Sequence, residues 1–94
     1  MTTVIKKGGK KEGFSPAKIR KSIAGAAKDA GVPFFERLGL VSEVANPVIR
    51  ACRKKETIKA SAIRTMVVGK LQRKSKLVAA AWRKYESRHR RKRR

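Results

Sequence analysis

The stretch that decides the fold of this chain spans residues 4–19 and reads VIKKGGKKEGFSPAKI. Residues 3–14 predict a β-hairpin, because the Gly-Gly pair at 8–9 readily takes the positive φ angles of a tight two-residue turn. A lone hairpin is only marginally stable in water, so we expect it to dock on the rest of the chain. A helix should follow at once, since Ser15 is a typical N-cap and Pro16 suits the first helical position.

Helical periodicity accounts for most of the remaining sequence. It predicts helices at about residues 15–30, 35–53, 61–72 and 76–86. Gly31 should stop the first helix, and Pro47 should kink or interrupt the second. The side chains expected to face the core are Ile19, Ile23, Ala26, Ala27, Ala30, Leu38, Val41, Val44, Val48, Ile49, Cys52, Ile63, Met66, Val67, Leu71, Leu77, Val78, Ala81, Trp82 and Tyr85. The predicted fold class is α+β and mainly helical, with a hairpin capping a four-helix bundle in residues 1–86 and a basic arm in residues 87–94.

Charge is the strongest functional signal in the sequence. The 94 residues include 27 Lys or Arg and only 6 Asp or Glu, a formal net charge of +21. So much like charge in a small domain is self-repelling and favours a polyanionic partner, of which nucleic acid is the commonest. The residues expected to contact nucleic acid are Lys10, Lys11, Lys21, Lys28, Arg83, Lys84, Arg88, Arg90, Arg91, Lys92, Arg93 and Arg94. A solvated lysine face is the alternative for the helix-one lysines.

The charge is also unevenly distributed along the chain. Residues 29–47 carry three acids and one base, whereas residues 83–94 carry eight bases and one acid. We therefore expect the second helix to face protein neighbours or solvent, and the basic segments to form the anion-facing side.

Residue types that often carry chemistry have structural interpretations here. The lone thiol of Cys52 excludes an internal disulfide and a multi-cysteine zinc site, and it lies on an apolar stripe that predicts burial. Trp82 and Tyr85 could stack bases, but their helical spacing beside alanines favours the core. The single histidine, His89, lies among arginines, so no general base is expected on an ordered scaffold. We predict no enzyme activity and no metal site.

Residues 4–19, together with residues 58–71 and 78–85, resemble the ATP-cone domain, whose opening typically reads V-x-K-R-D-G-x-x-E-x-F-x-x-x-K-I. The resemblance covers most of residues 4–85. It implies a small helical bundle capped by a short β-sheet, acting as an adenine-nucleotide regulatory module like those in ribonucleotide reductases and in the repressor of reductase genes. Neither a reductase barrel nor a zinc ribbon accompanies the domain here, so we expect a divergent, very basic, stand-alone member.

The resemblance also implies a set of nucleotide-binding residues. Lys6 and Lys7 match the basic pair after the first strand, and Lys18 matches the lysine that enters the first helix. In the family these positions meet the phosphates. Glu12 matches the acid after the hairpin turn, which helps to bind the nucleotide. The resemblance thus implies ATP or dATP as a possible ligand. The residues themselves indicate no cofactor that the protein requires.

The sequence departs from the family pattern at three positions. Gly8 stands where the family has an aspartate, and Ala60 stands where it has a threonine, with Ser61 adjacent. Arg64 occupies the position that lies near the base. The phosphate-binding half of the pocket is therefore matched better than the adenine half.

Three functional hypotheses remain open from the sequence. The favoured one is an RNA-binding protein, ribosomal or ribosome-associated, that meets rRNA within a ribonucleoprotein. The second is an ATP- or dATP-binding regulatory module or transcriptional regulator, and the third is a DNA-binding chromatin-type protein. Membrane binding is disfavoured because the basic segments lack a strongly apolar opposite face. With no signal-peptide core after Met1 and no apolar run of membrane-spanning length, a soluble cytoplasmic protein is expected.

Overall fold

The computed structural model of the chain describes residues 2–91, and their side chains as far as Arg88. Its elements in chain order are β1 (Thr3–Ile5), β2 (Lys11–Gly13), α1 (Pro16–Asp29), α2 (Phe34–Arg53), β3 (Thr57–Lys59), α3 (Ala60–Lys74) and α4 (Lys76–Arg91). The α+β, mainly helical class predicted from the sequence is confirmed. Within the described part of the chain, no helix is long and apolar enough to cross a membrane.

The hairpin is part of a three-stranded sheet rather than a hairpin alone. The strand order is β2-β1-β3, with β1 antiparallel to β2 and parallel to β3. Val4 lies opposite Glu12 on one side and Ile58 on the other, so these three side chains share the sheet face turned toward the helices. β3 was not predicted from the sequence, because a strand of three residues next to a helix is too short to show an alternating pattern.

The turn of the hairpin is longer than the predicted two-residue turn, and that prediction was wrong. One turn of 3-10 helix at Lys7–Gly9 lies between the strands, and the Lys6 N–H donates to the Lys10 carbonyl at 2.7 Å. Gly8 and Gly9 both have a φ of +82°, as the Gly-Gly pair indicated. The two glycines permit the positive φ angles, while five residues instead of two connect the strands.

The helices form a four-membered bundle in which α1 and α3 each contact both α2 and α4. The core between this bundle and the sheet contains the buried hydrophobic side chains of Val4, Ile19, Ile23, Ala26, Ala27, Val44, Ala45, Val48, Ile49, Cys52, Ile58, Val67, Leu71, Val78, Ala79 and Trp82. Two predicted core positions are wrong, since Leu38 and Leu77 are exposed. Pro47 does not interrupt α2, which continues through it to Arg53.

The last helix is longer than the sequence predicted. The apolar pattern stops at Tyr85, but α4 continues to Arg91, so the start of the predicted arm is helical backbone. Arginine and glutamate are good helix formers, and the Arg88 guanidinium is paired with the Asp29 carboxylate of α1 at 3.1 Å in this turn. The expected contacts of Arg90, Arg91, Lys92, Arg93 and Arg94 lie outside the described side chains.

Candidate functional site

A cavity of about 400 Å³ opens between the sheet, the start of α1, α3 and α4. This volume is within the range of small-molecule sites, about 300–1,000 Å³. The sheet contributes Val4 and Glu12 from its inner face, and α1 contributes Lys18 and Ile19 next to its N-cap residue Ser15. The cavity therefore exists only where segments distant in the chain come together.

One side of the cavity is basic. Lys6, Lys7 and Lys18 line it together with Glu12, so the four residues singled out by resemblance meet in one place. The Glu12 carboxylate lies 3.1 Å from the Lys6 ammonium and 3.8 Å from that of Lys18. Glu12 thus holds one lysine of the hairpin beside one lysine of α1. Lys10, which sequence analysis assigned to nucleic acid, lines the same cavity.

The beginning of α1 adds positive partial charge to the basic side of the cavity. Pro16 occupies the first helical position, and the Ser15 hydroxyl oxygen accepts a hydrogen bond from the Lys18 N–H at 3.3 Å. Both features were predicted and are confirmed. Pro16 has no N–H and the N–H of Lys18 is capped by Ser15, so the helix contributes through its dipole, which places positive partial charge at this end. With the lysines around it, this end of the cavity is suited to a phosphate chain.

The opposite wall is apolar and ordered. It includes Ile63, Val67 and Trp82, and the indole N–H of Trp82 donates to the Ser22 hydroxyl oxygen at 3.1 Å. Ser22 in turn donates to the Ile19 carbonyl at 2.8 Å. Trp82 is only 4% exposed, so its predicted place in the core is confirmed and an exposed base-stacking role is excluded. The wall offers a rigid hydrophobic surface to a flat ligand.

Two of the three departures from the family pattern lie in the cavity. Ala60 and Arg64 both line it, whereas Gly8 is not among the lining residues. Arg64 also lines a second depression of about 450 Å³ between α3 and α4, as do Trp82 and Glu86. Sequence analysis missed Glu86 as a lining residue. Its position one helical turn after Trp82 was the available signal.

The other residues predicted to contact nucleic acid lie on the surface. Lys11 is exposed on β2, Lys21 and Lys28 on α1, and Lys84 on α4. Arg83 is exposed and lines the second depression, while Arg88 is engaged with Asp29. These positions are spread over the surface, whereas the residues around Glu12 meet in one cavity.

Cys52 takes no part in the cavity. It is buried in α2, as predicted, and burial raises the pKa of its thiol because the thiolate would lose its hydration. Residues 2–88 contain no cluster of three His, Cys, Asp or Glu side chains placed to hold a metal ion.

Comparison with known protein families gives one match across nearly the whole chain. The model of the ATP cone domain matches residues 2–93. The search of curated proteins gave no match.

Proposed function

The chain belongs to the ATP-cone family, and we propose that it binds ATP or dATP as a regulatory ligand in the cavity around Glu12. The family is one of nucleotide-binding regulatory modules, so it supports the second functional hypothesis from the sequence better than the first. The ribosomal hypothesis receives no support from the family match. The observation that carries the proposal is the meeting of Lys6, Lys7, Glu12 and Lys18 in one cavity of suitable size.

The triphosphate binds at the basic side in this proposal. Five cationic side chains and two carboxylates line the cavity, so it has a net positive charge that complements a polyphosphate. Hydrogen bonds from charged donors are worth about 1.5–3 kcal/mol each, more than neutral ones. Glu12 acts as a positioning residue, because its carboxylate holds the ammonium groups of Lys6 and Lys18 on the same side of the cavity.

The base binds at the apolar wall, where we expect the site to distinguish bases less strongly than it distinguishes phosphate chains of different length. Ile63 and Val67 supply hydrophobic contact, and the planar guanidinium of Arg64 is able to stack on a purine ring. Ala60 has no hydroxyl to donate to the base. A methyl group in that place gives no hydrogen-bond reading of adenine, so we expect the number of phosphates to decide affinity more than the identity of the base.

Calorimetric titration of the full chain with ATP, dATP, ADP, AMP and GTP tests this proposal. We expect affinity to fall from ATP to ADP to AMP, and ATP and GTP to differ by less than about tenfold, or 1.4 kcal/mol. Titrations in which none of the five nucleotides binds, or in which AMP equals ATP, contradict the proposal.

A pair of matched variants locates the site. Lys6→Met should weaken ATP binding about tenfold or more, since it removes one charge-assisted contact and leaves Glu12 near the phosphates. Lys76→Met removes the same charge from the exposed start of α4, outside the cavity, and should leave the affinity unchanged. Equal effects of the two variants would show that the nucleotide responds only to total charge.

We also propose that the bound nucleotide is not turned over. Glu12, one of the two carboxylates that line the cavity, is already engaged with two lysines. A phosphate-release assay with the chain and ATP should therefore remain at the level of buffer alone. Stoichiometric or catalytic release that is lost in Glu12→Gln would identify an ATPase instead.

A further inference from the structure

We propose that the exposed lysines at the rim of the cavity and along α1 bind a single-stranded nucleic acid through its phosphodiester backbone. We further propose that ATP competes with this strand, because the rim lysines serve both ligands. The competition rests on the proposed nucleotide function, whereas the backbone contacts do not.

The charge of the domain requires more compensation than its own acids supply. Four ion pairs join the described residues, and they engage Lys6, Lys18, Lys74 and Arg88 with only three carboxylates. The six acids of the whole chain leave a net charge of +21. A single nucleoside triphosphate neutralises only a small part of it, whereas a polyanion that spans the surface neutralises several charges at once and releases their counterions.

The lysines of α1 form a row that starts at the cavity. Lys18 lines the cavity and is exposed, and Lys21 and Lys28 continue along the helix as exposed residues. At about 100° per residue, the three lie within about 80° of one another around the helix axis. The ten helical rises from Lys18 to Lys28 span about 15 Å along the helix axis, long enough to follow several phosphates of one strand.

The sheet carries further cations on its outer face. Lys11 and Lys59 lie opposite Ile5 in the two neighbouring strands, on the face turned away from the helices. Both are exposed. Lys7 and Lys10 of the hairpin turn line the cavity itself. A backbone that follows α1 therefore meets the exposed lysines of the helix and then the lysines that line the cavity.

The cavity itself favours a strand over a duplex. Its basic side and its apolar wall accept the phosphates and base of a nucleotide, and an unpaired nucleotide of a strand offers the same groups. A paired nucleotide keeps its base inside the stack and must be extruded before it can enter such a pocket. The same contacts thus explain both the preference for single strands and the competition by ATP.

The exposed apolar residues argue against an anionic membrane as the partner of this surface. Phe35 is 84% exposed and Phe34 58%, and both lie at the start of α2 beside Glu36. Surface-binding helices combine an apolar face with Lys and Arg around it. Here the apolar side chains and the lysine row are on different helices, and the apolar ones lie in the least basic part of the chain.

Fluorescence anisotropy with the full chain tests the backbone contacts. The probes are oligouridine and oligothymidine of about 20 nucleotides and a DNA duplex of equal length. This length covers the roughly 4–16 nucleotides that a single-strand-binding domain occupies. If five phosphates are contacted, the affinity for a single strand should fall about 10²-fold between about 50 and 200 mM salt. Oligouridine and oligothymidine distinguish RNA from DNA as the source of the strand. Salt-independent binding, equal binding of the duplex, or preference for phosphatidylserine vesicles would overturn the assignment.

Matched charge reversals test the surface. Lys21→Glu with Lys28→Glu should weaken strand binding at least tenfold more than Arg50→Glu with Arg53→Glu, which makes the same charge change at the exposed end of α2. The comparison is made at about 0.15 M salt, where charges more than about 8 Å from the strand are largely screened. Equal losses in the two double variants would refute the lysine row. Both proteins should keep their affinity for ATP.

Competition is measured by titrating ATP into the strand complex at constant ionic strength. We expect saturating ATP to weaken strand binding at least tenfold, and sulfate at the same ionic strength to have no such effect. Strand binding unchanged by bound ATP overturns the competition. A chain that binds ATP but no strand refutes this inference and leaves the proposed function standing. A chain that binds strands but not ATP refutes the proposed function and the competition, and supports the backbone contacts.

Discussion

Gly25→Ala should destabilise the domain, although the same replacement in a helix normally stabilises it. A β-carbon on Gly25 would lie 2.8 Å from Cε2 of Tyr85 and 3.3 Å from its Cδ2. Favourable carbon–carbon contacts lie at about 3.5–4.0 Å, so the ring has to retreat by about 0.7 Å. The helix backbone is not free to follow, since Trp82 is bonded to Ser22 one turn earlier and Arg88 to Asp29 one turn later.

The size of the effect is a difference between two opposing terms. Overpacking of this kind costs about 1–3 kcal/mol. Alanine is favoured over glycine inside a helix by about 1 kcal/mol. Gly25→Ala should therefore lower the free energy of unfolding by about 1 kcal/mol, with a fall in Tm of about 4–8 °C for a domain of this size.

Urea denaturation followed by circular dichroism measures this free energy. Gly39→Ala is the control, because it lies in α2 with nothing within 4 Å of an added β-carbon, and it should stabilise by about 1 kcal/mol. In a Tyr85→Ala background the clash is absent, and Gly25→Ala should also stabilise by about 1 kcal/mol. If Gly25→Ala stabilises the chain while Tyr85 is present, the packing argument is wrong.

Three further outcomes follow from the structure. Ser22→Ala leaves the Trp82 indole N–H without its buried partner, so it should lower the free energy of unfolding by about 1–3 kcal/mol and shift the tryptophan fluorescence. An unchanged denaturation midpoint would contradict the role of that bond. Gly31→Ala should destabilise by about 1–2 kcal/mol in the same assay, because Gly31, which follows the C-cap residue Ala30 of α1, has a φ of +84°. A stabilising effect would show that the backbone adapts. Cys52 should not react with a thiol reagent in the native chain and should react fully in denaturant, since its thiol is buried with a raised pKa; rapid native labelling would show that α2 opens.

Local signals in the sequence were sufficient for the helices and for much of the pocket. Ser15 and Pro16 marked the start of α1, and Gly31 its end, because capping depends on residues within one turn of the terminus. The residues matched to the family motif, including Lys6 and Glu12, line one cavity in the structure. We propose that they bind the nucleotide, and titration of Lys6→Met with ATP tests this role.

The charge of the sequence was a weaker guide to function than its motif. A net charge of +21 favoured nucleic acid as the primary partner, but the family match supports the nucleotide-binding hypothesis instead. Net charge reports on solubility and on non-specific association rather than on a particular site. A motif fixes the relative positions of several side chains, so it carries more information about one ligand.

The sequence by itself determined the α+β class, the four helices, the hairpin and the residues matched to the family motif. Only the tertiary structure decided that β3 pairs with β1, that α4 continues to Arg91, and that Glu86 lines the cavity. The physical reason is the range of the interactions. Caps and helical stripes act within a few residues, whereas the pairing of Thr3 with Thr57 and the bond between Ser22 and Trp82 join residues more than fifty positions apart. Such contacts depend on the packing of the whole bundle.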